Sequence, residues 1–501
     1  MHNWDAGKLD LVALQRLAQV LAVYIGRGDL ILLEGDLGTG KTTFARALIA
    51  ALAQEPALEV PSPTFSLVQS YESPRGAVHH FDLYRLGGAA DVREIGFEDA
   101  QANGLALVEW PDRAAGLLPD DKLRIVLSDA KDPEQRNMQL IGEGAWAGRL
   151  QHVQTAHDFI AASGWSDAQI EHLAGDASRR IYARLTRSTG TCLLMDSPPL
   201  PDGPPVKDGK PYWVLARSAR DIGAFIAVDS ALRSFGFSAP AIHAQNLDAG
   251  LLLIEDLGDL DFAAAMRSGH SMRKLYGAAV ELLADLANRP VPERMPIRGG
   301  REHRLPVFDL EPLQVEVRLL LDWYWPQVTG AMPSEFLQSE FEEHWRRLLQ
   351  PLMQVPRSWV LRDVHSPNLI WLPERDGLQR VGLIDFQDAL AGHSAYDLAA
   401  LLQDARLDVP EAIETELFEH YLTIRRNQDA TFDATAFRSA YAVFAAQRAT
   451  KLLGIFVRLA RRDGKPNYLS HLPRIHRYLH HSLRHDALAG LRAWYGQHLP
   501  G

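Results

Sequence analysis

Residues 30–43 read LILLEGDLGTGKTT: an apolar strand, a glycine-rich loop and the start of a helix, without a break. Gly35, Gly40, Lys41 and Thr42 fit the spacing G-x-x-x-x-G-K-[ST]. Glycines let the backbone curl until its N–H groups face a single anion, and the following helix points its positive end at the same place. The stretch predicts an α/β P-loop NTPase fold, with Gly35, Asp36, Leu37, Gly38, Thr39, Gly40, Lys41, Thr42 and Thr43 around the phosphates of ATP. Lys41 would reach the β and γ phosphates, and the Thr42 hydroxyl would bind Mg²⁺. No N-K-x-D stretch is present, so guanine selection has no visible basis.

The surrounding pattern agrees. Leu11, Leu14, Leu17, Leu21 and Ile25 recur at helical spacing. FSLVQSY and AVHHFDLY, separated by SPRG, read as strand, turn, strand. LALVEW (105–110) is a further buried strand, and KLRIVLSD with RNMQLIG makes a closing antiparallel pair before the pattern ends near Gly148. A phosphoryl-transfer or hydrolytic site also needs a carboxylate to organise metal. Asp82 in HHFDLYR and Glu109 at the end of LALVEW are the two candidates, as catalytic and metal-binding groups. His79 and His80 lie beside Asp82 without a Cys or third His at ligand spacing, so packing within the strand pair is their expected role.

The chain has 501 residues, enough for two to four domains at ~150 residues each. The first pattern ends near Gly148 and the grammar changes from about residue 155, which predicts residues 1–150 as one domain and 151–501 as another. Net charge is −11, which argues against nucleic-acid binding by bulk charge. Cys192 is the only cysteine, so no intramolecular disulfide can form, which suits a cytoplasmic location. MHNWDAGKLDLVALQ is not a secretory signal, and no apolar run approaches the ~20 residues of a membrane span.

The second region carries a different phosphate device. LRDVHSPN contains Asp363 and Asn368, five apart, and LIDFQDA supplies Asp385, 22 residues after Asp363. In a kinase catalytic loop the Asp orients the acceptor hydroxyl, the Asn holds Mg²⁺, and a second acid bridges metal to phosphate. That predicts an α+β bilobal protein-kinase-like domain, with an N-terminal lobe and hinge over 151–258 and a helical lobe over 259–501. SRRIYARL and TCLLMDSP read as two strands, PPLPDGPPVKDGKP (198–211) as a loop, 220–235 as a helix and LLLIEDLG (251–258) as a strand entering a turn. Where a kinase would read V-A-I-K this chain reads LLMD (193–196), and the 220–235 helix offers no obvious Glu. Arg180 or Arg184 is left to supply positive charge to the phosphates, with solvated strand arginines as the ordinary alternative. Trp323, Tyr324 and Trp325 could stack on a sugar, although a core stripe is the commoner explanation.

Two resemblances sharpen these expectations. GDLGTGKTTFARAL, SPTFSLVQSY, HFDLYRL and VEW, in that order within residues 35–110, resemble TsaE, the ATPase subunit of the bacterial tRNA threonylcarbamoyladenosine machinery. The resemblance covers about residues 5–150 and implies work alongside TsaB and TsaD-type threonylcarbamoyltransferase subunits, with tRNA an indirect partner. It implies a switch-like Thr64, Mg²⁺ and catalytic roles for Asp82 and Glu109, and a Trp110 near the nucleotide. ASRRIYARL, LLMDSPP, LIEDLG, LRDVHSPNL and IDFQDALAGHSAYDLAALL resemble the aminoglycoside-phosphotransferase family, in its AmgK-type branch of anomeric sugar kinases. That resemblance, over about residues 155–495, implies phosphorylation of N-acetylmuramate or N-acetylglucosamine, Asp363 as base, Asn368 and Asp385 on metal, and adenine against the backbone of Glu255 and Leu257. It also implies a structural Asp397. Rival expectations are another hydroxyl acceptor (an aminoglycoside, choline or an amino acid), a kinase-fold scaffold that regulates the ATPase, and an assembly switch with little hydrolysis.

Overall fold

The computed structural model describes residues 1–173, 180–199, 202–297 and 300–499. By internal contacts the chain forms two compact units: Met1–Pro198 with Ile242–Asp256, and Pro199–Ala241 with Leu257–Gly501.

In the first unit, strands β1 (His2–Leu9), β2 (Leu30–Glu34), β3 (Val68–Tyr71), β4 (Val78–Asp82), β5 (Leu105–Glu109), β6 (Lys122–Asp129) and β7 (Arg136–Glu143) make one sheet in the order β1-β7-β6-β2-β5-β4-β3. β2 runs parallel to β5 and β6, and β4 parallel to β5; the other pairings are antiparallel. Parallel strands covered on both faces read as unbroken apolar runs, which is why LILLE and LALVE show no alternation. Helix α1 (Leu11–Tyr24) starts at Asp10, whose carboxylate accepts the Ala13 N–H at 2.8 Å, and α2 (Lys41–Ala53) starts at Gly40. The C-terminal ends of β2, β4 and β5 converge, with Asp82 and Glu109 opposite each other in register. Such a crevice is where α/β sheets bind ligands.

The expected end of the pattern near Gly148 falls inside a helix, α3 (Trp146–Ala162), which packs on β1 and β7. Beyond it, β8 (Gln169–Leu173), β9 (Ile181–Arg187), β10 (Gly190–Asp196), β11 (Ile242–Asn246) and β12 (Leu251–Glu255) form an antiparallel sheet in the order β11-β12-β10-β9-β8. One face of it, through Ala183, Leu185, Cys192, Leu194, Leu251 and Leu253, enters the same buried cluster as Leu17, Leu21, Ile49, Leu150 and Val153. Two polar ties seal the seam: Asp196 Oδ2 accepts from Tyr24 Oη at 2.6 Å and from His152 Nε2 at 2.7 Å. The compact unit therefore runs past residue 150, because a one-sided sheet must bury its apolar face against something, and here α1 and α3 supply the cover.

The second unit is mostly helical. It contains α4 (Ile222–Ser234), α5 (Leu310–Leu319), the short strands β13 (Ser358–Val360), β14 (Leu369–Trp371), β15 (Val381–Leu383) and β16 (Leu390–Gly392), then α6 (Ala395–Leu402) and α7 (Ala434–Arg461). Pro205–Lys207 and Lys210–Pro211 pair as a small hairpin within the stretch expected to be loop; Leu200 and Pro201 lie outside the described residues. At the crossing of α5 and α7 a Cβ on Gly454 would come within 2.2 Å of the Leu319 carbonyl, so glycine is required there. Among the described residues no helix is long and apolar enough to cross a membrane.

Candidate active sites

The P-loop leaves β2 at Gly35, where a Cβ would lie 2.3 Å from the Leu127 carbonyl oxygen, and enters α2 through Gly40 at φ 97°. Both positions exclude a side chain, one by space and one by backbone angle. Lys41 Nζ donates to the carbonyls of Gly35 and Asp36, each at 2.8 Å, and lies 3.8 Å from the centre of the Trp110 ring. Burial lowers the pKa of its ammonium, against the pull of Glu109, Asp82 and Asp36. Thr39 Oγ1 donates to the Asp36 carbonyl at 2.9 Å, while Leu37 is exposed at the loop tip. Thr42 Oγ1 donates to Glu109 Oε2 at 3.1 Å, and Thr64 Oγ1 to Asp82 Oδ2 at 2.7 Å. Trp110 follows directly after Glu109 with a left-handed backbone, φ 62°, and its ring lies 4.9 Å from Tyr84. The sequence-predicted residues Lys41, Thr42, Thr64, Asp82, Glu109 and Trp110 thus form one cluster.

In the second unit, β14 pairs antiparallel with β15, Leu369 opposite Leu383, so Asn368 and Asp385 meet at one end of the hairpin. Asn368 Nδ2 donates to the Asp363 carbonyl at 2.9 Å and to Asp385 Oδ2 at 3.4 Å. Gln387 Nε2 donates to Asp385 Oδ1 at 3.0 Å. Asp385 sits at φ 59° and Arg362 at φ 75°, conformations that non-glycine residues adopt only when neighbours hold them there. Asp397 is one such holder: its carboxylate accepts the N–H groups of Leu361 and Arg362 at 2.5 and 2.8 Å. Its expected structural role is borne out, and burial raises its pKa to about 7 against those two donors.

A TsaE model (threonylcarbamoyl adenosine biosynthesis protein TsaE) matches residues 10–138, and one of the phosphotransferase enzyme family matches residues 169–437. The chain belongs to both families. It is 36% identical over 351 residues to the N-acetylmuramate/N-acetylglucosamine kinase of Caulobacter vibrioides, covering 68% of this chain and 95% of that protein. The namesake from Pseudomonas aeruginosa is 30% identical over 336 residues, 64% of this chain and 87% of that protein. The tRNA threonylcarbamoyladenosine biosynthesis protein TsaE of Rickettsia felis is 33% identical over 142 residues, 28% of this chain and 82% of that protein. The chain is accordingly an ATP-using enzyme that fuses a TsaE module to a phosphotransferase module.

Some residues of both modules escaped the sequence reading. In the TsaE module His80 is buried, with Nε2 3.0 Å from Glu109 Oε1, whereas His79 bonds Ser70 Oγ at 2.8 Å. In the phosphotransferase module, Glu316 on α5 is fully buried and accepts from Arg362 Nη2 at 2.5 Å, Lys451 Nζ at 2.8 Å and Gln447 Nε2 at 3.0 Å. Burial opposes its ionisation, but Lys451 and Arg362 outweigh that and hold its pKa at about 2. Arg448 Nη1 donates to the Arg362 carbonyl at 3.0 Å. Burial works against the Asp363 carboxylate too, yet Lys451 and Arg448 keep its pKa below the ordinary value. Asp404 accepts the Ser366 N–H at 2.7 Å and Tyr276 Oη at 2.8 Å, fixing the far side of the loop.

Other expectations fare differently. Arg180 directly precedes β9, and residues 174–179, expected to cover the phosphates, lie outside the described residues. Arg184 is engaged by Asp256 in a two-pronged pair at 2.7 and 3.2 Å. Glu255 closes β12, opposite Cys192, and the Leu257 side chain packs on Ile370 and Leu372. Tyr324 and Trp325 are buried, the first bonded to His476 at 2.7 Å and the second 5.9 Å from Trp494, so these two serve the core.

The donor sets fit Mg²⁺. It takes hard oxygen ligands in small number and leaves the rest to phosphate and water. Thr42, Asp82 and Glu109 offer such oxygens around one P-loop, and Asn368 and Asp385 do so at the end of one hairpin. Among the described residues no group of three or more His, Cys, Asp or Glu forms a metal cluster, and a Mg-phosphate site requires none.

Proposed function

We propose that the chain is a bifunctional, cytoplasmic enzyme with a module boundary near residue 150 and two separate sites for Mg-ATP. The TsaE module hydrolyses ATP in support of tRNA threonylcarbamoyladenosine modification, together with TsaB and TsaD-type subunits. Lys41 neutralises the β and γ phosphates within the cradle of residues 35–43, and Thr42, Asp82 and Glu109 hold the metal. Thr64 fixes the Asp82 carboxylate, and Trp110 flanks the nucleotide.

The phosphotransferase module phosphorylates the anomeric hydroxyl of N-acetylmuramate or N-acetylglucosamine, a reaction of peptidoglycan recycling. Asp363 accepts a hydrogen bond from that hydroxyl and takes its proton as the sugar oxygen bonds to the γ phosphorus. The bond from that phosphorus to the β-phosphate oxygen breaks, and ADP leaves. Asn368 and Asp385 hold Mg²⁺, which neutralises charge on the phosphates during transfer. Glu255 and Leu257 offer backbone groups to adenine, and Arg180 supplies positive charge near the phosphates in place of the missing lysine. The observation that supports this most is the β14–β15 register, which unites Asn368 and Asp385 beneath the strained Arg362-Asp363 turn.

The test is phosphorus NMR of the full chain with Mg-ATP and a panel of acceptors. A sugar 1-phosphate from N-acetylmuramate or N-acetylglucosamine, absent with Asp363→Ala, supports the assignment. Phosphorylation of an aminoglycoside, choline or an amino acid in preference to either sugar overturns it.

A further inference from the structure

His80 stands on β4 two residues before Asp82, and strand alternation sets the two on the same face of the sheet. Phe81 between them points the other way, into a cluster with Phe97. The imidazole is fully buried, and its Nε2 lies 3.0 Å from Glu109 Oε1. A carboxylate only accepts, so Nε2 carries the proton and donates. The other carboxylate oxygen, Oε2, accepts from Thr42 Oγ1 at 3.1 Å. Glu109 is thereby held at both oxygens, by a neighbouring strand on one side and by the P-loop on the other.

The second nitrogen, Nδ1, is buried and has no hydrogen-bond partner among the described residues. A buried polar atom left unpaired costs free energy, and an apolar side chain of similar size would fill the space without that cost. A histidine that served packing alone is the poorer choice at this position. What it supplies beyond packing is a single directed N–H.

We propose that His80 is a positioning residue of the ATPase: its Nε2–H aims the Glu109 carboxylate so that Oε2 meets the Thr42 hydroxyl. This rests on the assignment of Thr42 and Glu109 to the ATP-hydrolysing site. Asp82 takes its own donors, Thr64 Oγ1 at 2.7 Å and Ser62 Oγ at 3.3 Å, so the two acids are oriented by different groups.

The test uses the full chain in an Asp363→Ala background, so that hydrolysis reports the P-loop site. His80→Met keeps the reach of the side chain and removes the donor; His80→Gln keeps a donor near the place of Nε2. Losing such a supporting donor typically costs ~10–100-fold in activity or metal affinity. For H80M, kcat should fall by about that factor with the KM for ATP within about threefold, and H80Q should recover most of it. Calorimetry supplies a second readout: for the nucleotide-binding phase that Lys41→Ala abolishes, H80M should raise the Mg²⁺ concentration at half-saturation, and H80Q should restore it. If H80M does not fold, H80N takes its place, with an amide one methylene too short to reach. Glu109→Gln runs alongside. Normal kcat and Mg²⁺ dependence in H80M, with hydrolysis lost in E109Q, would overturn the role of His80 alone. Undiminished hydrolysis in E109Q would remove the assignment on which it rests.

Discussion

In the TsaE module each acid is held by side chains one hydrogen bond away: Asp82 by Thr64, Glu109 by His80 and Thr42. In the phosphotransferase module Asp363 is placed through the backbone of its neighbour. Arg362, at φ 75°, is pinned at its N–H by Asp397, at its carbonyl by Arg448 and at its guanidinium by Glu316. The first site grows from the ends of regular parallel strands, where the acids already face the right way and a few side-chain donors finish the work. The second has a short, strained turn between strands of two small antiparallel pairs, and fully buried charge over-determines it. A site on regular strands keeps its fold when one neighbour is lost, at a cost in activity; a strained loop on buried ions does not, since each deletion leaves a desolvated charge behind.

The largest effect that would sharpen this contrast is a deletion. Removing residues 1–150 cuts through α3 and strips the cover from Ala183, Leu185, Leu194 and Leu253. The five-stranded sheet should lose its fold, read as exposed apolar surface by dye binding. Next comes Glu316→Gln, which leaves Arg362 and Lys451 buried without their anion. Loss of one buried partner costs ~3–5 kcal/mol, so the unfolding transition of the second unit should drop by about that amount and phosphotransfer should cease. ATP hydrolysis by the TsaE module should persist; its loss as well would break the contrast. Thr64→Val is smaller: hydrolysis should fall about tenfold, with stability changed by less than ~1 kcal/mol and phosphotransfer unchanged.

The smallest effect is one of pH. The bond to Asp196 raises the pKa of His152 above its ordinary 6.5. Its stabilising contribution is full below that value and is lost as pH rises through the raised one. Melting curves of the chain should therefore show a small loss of stability from pH 6 to 9, and His152→Gln should flatten that slope.

Legibility in the sequence followed the same divide. β2 and β5 were readable because unbroken apolar runs lead into glycine or carboxylate at fixed positions, α2 because it follows the glycine loop, and β4 because a turn separates it from β3. β1 was not: HNWDAGKL is an edge strand with only Trp4 buried, and its register shifts at Asp5–Gly7. α3 was hidden because WAGRLQHVQTAHDFIAA mixes polar and apolar residues around Gly148 and has no side-chain cap. In the phosphotransferase site Asp363, Asn368 and Asp385 were legible from spacing, while Glu316, Arg448 and Lys451 were not, since charges on helices ordinarily face water. One signal was available: Gln447, Arg448 and Lys451 interrupt AYAVFAAQRATKLL, a stretch too apolar for a solvated helix face. The bond of His80 is not legible from spacing along β4, because its partner is a carboxylate on the adjacent strand.

The measurement that bears most directly on the account is a double dissociation in the full chain. Phosphorus NMR would follow ATP with and without N-acetylmuramate in Lys41→Ala and Asp363→Ala. Two independent nucleotide sites predict that K41A abolishes sugar-independent release of phosphate while sugar 1-phosphate still forms, and that D363A does the reverse. Loss of both reactions in either variant would contradict the claim that each module runs on its own acids.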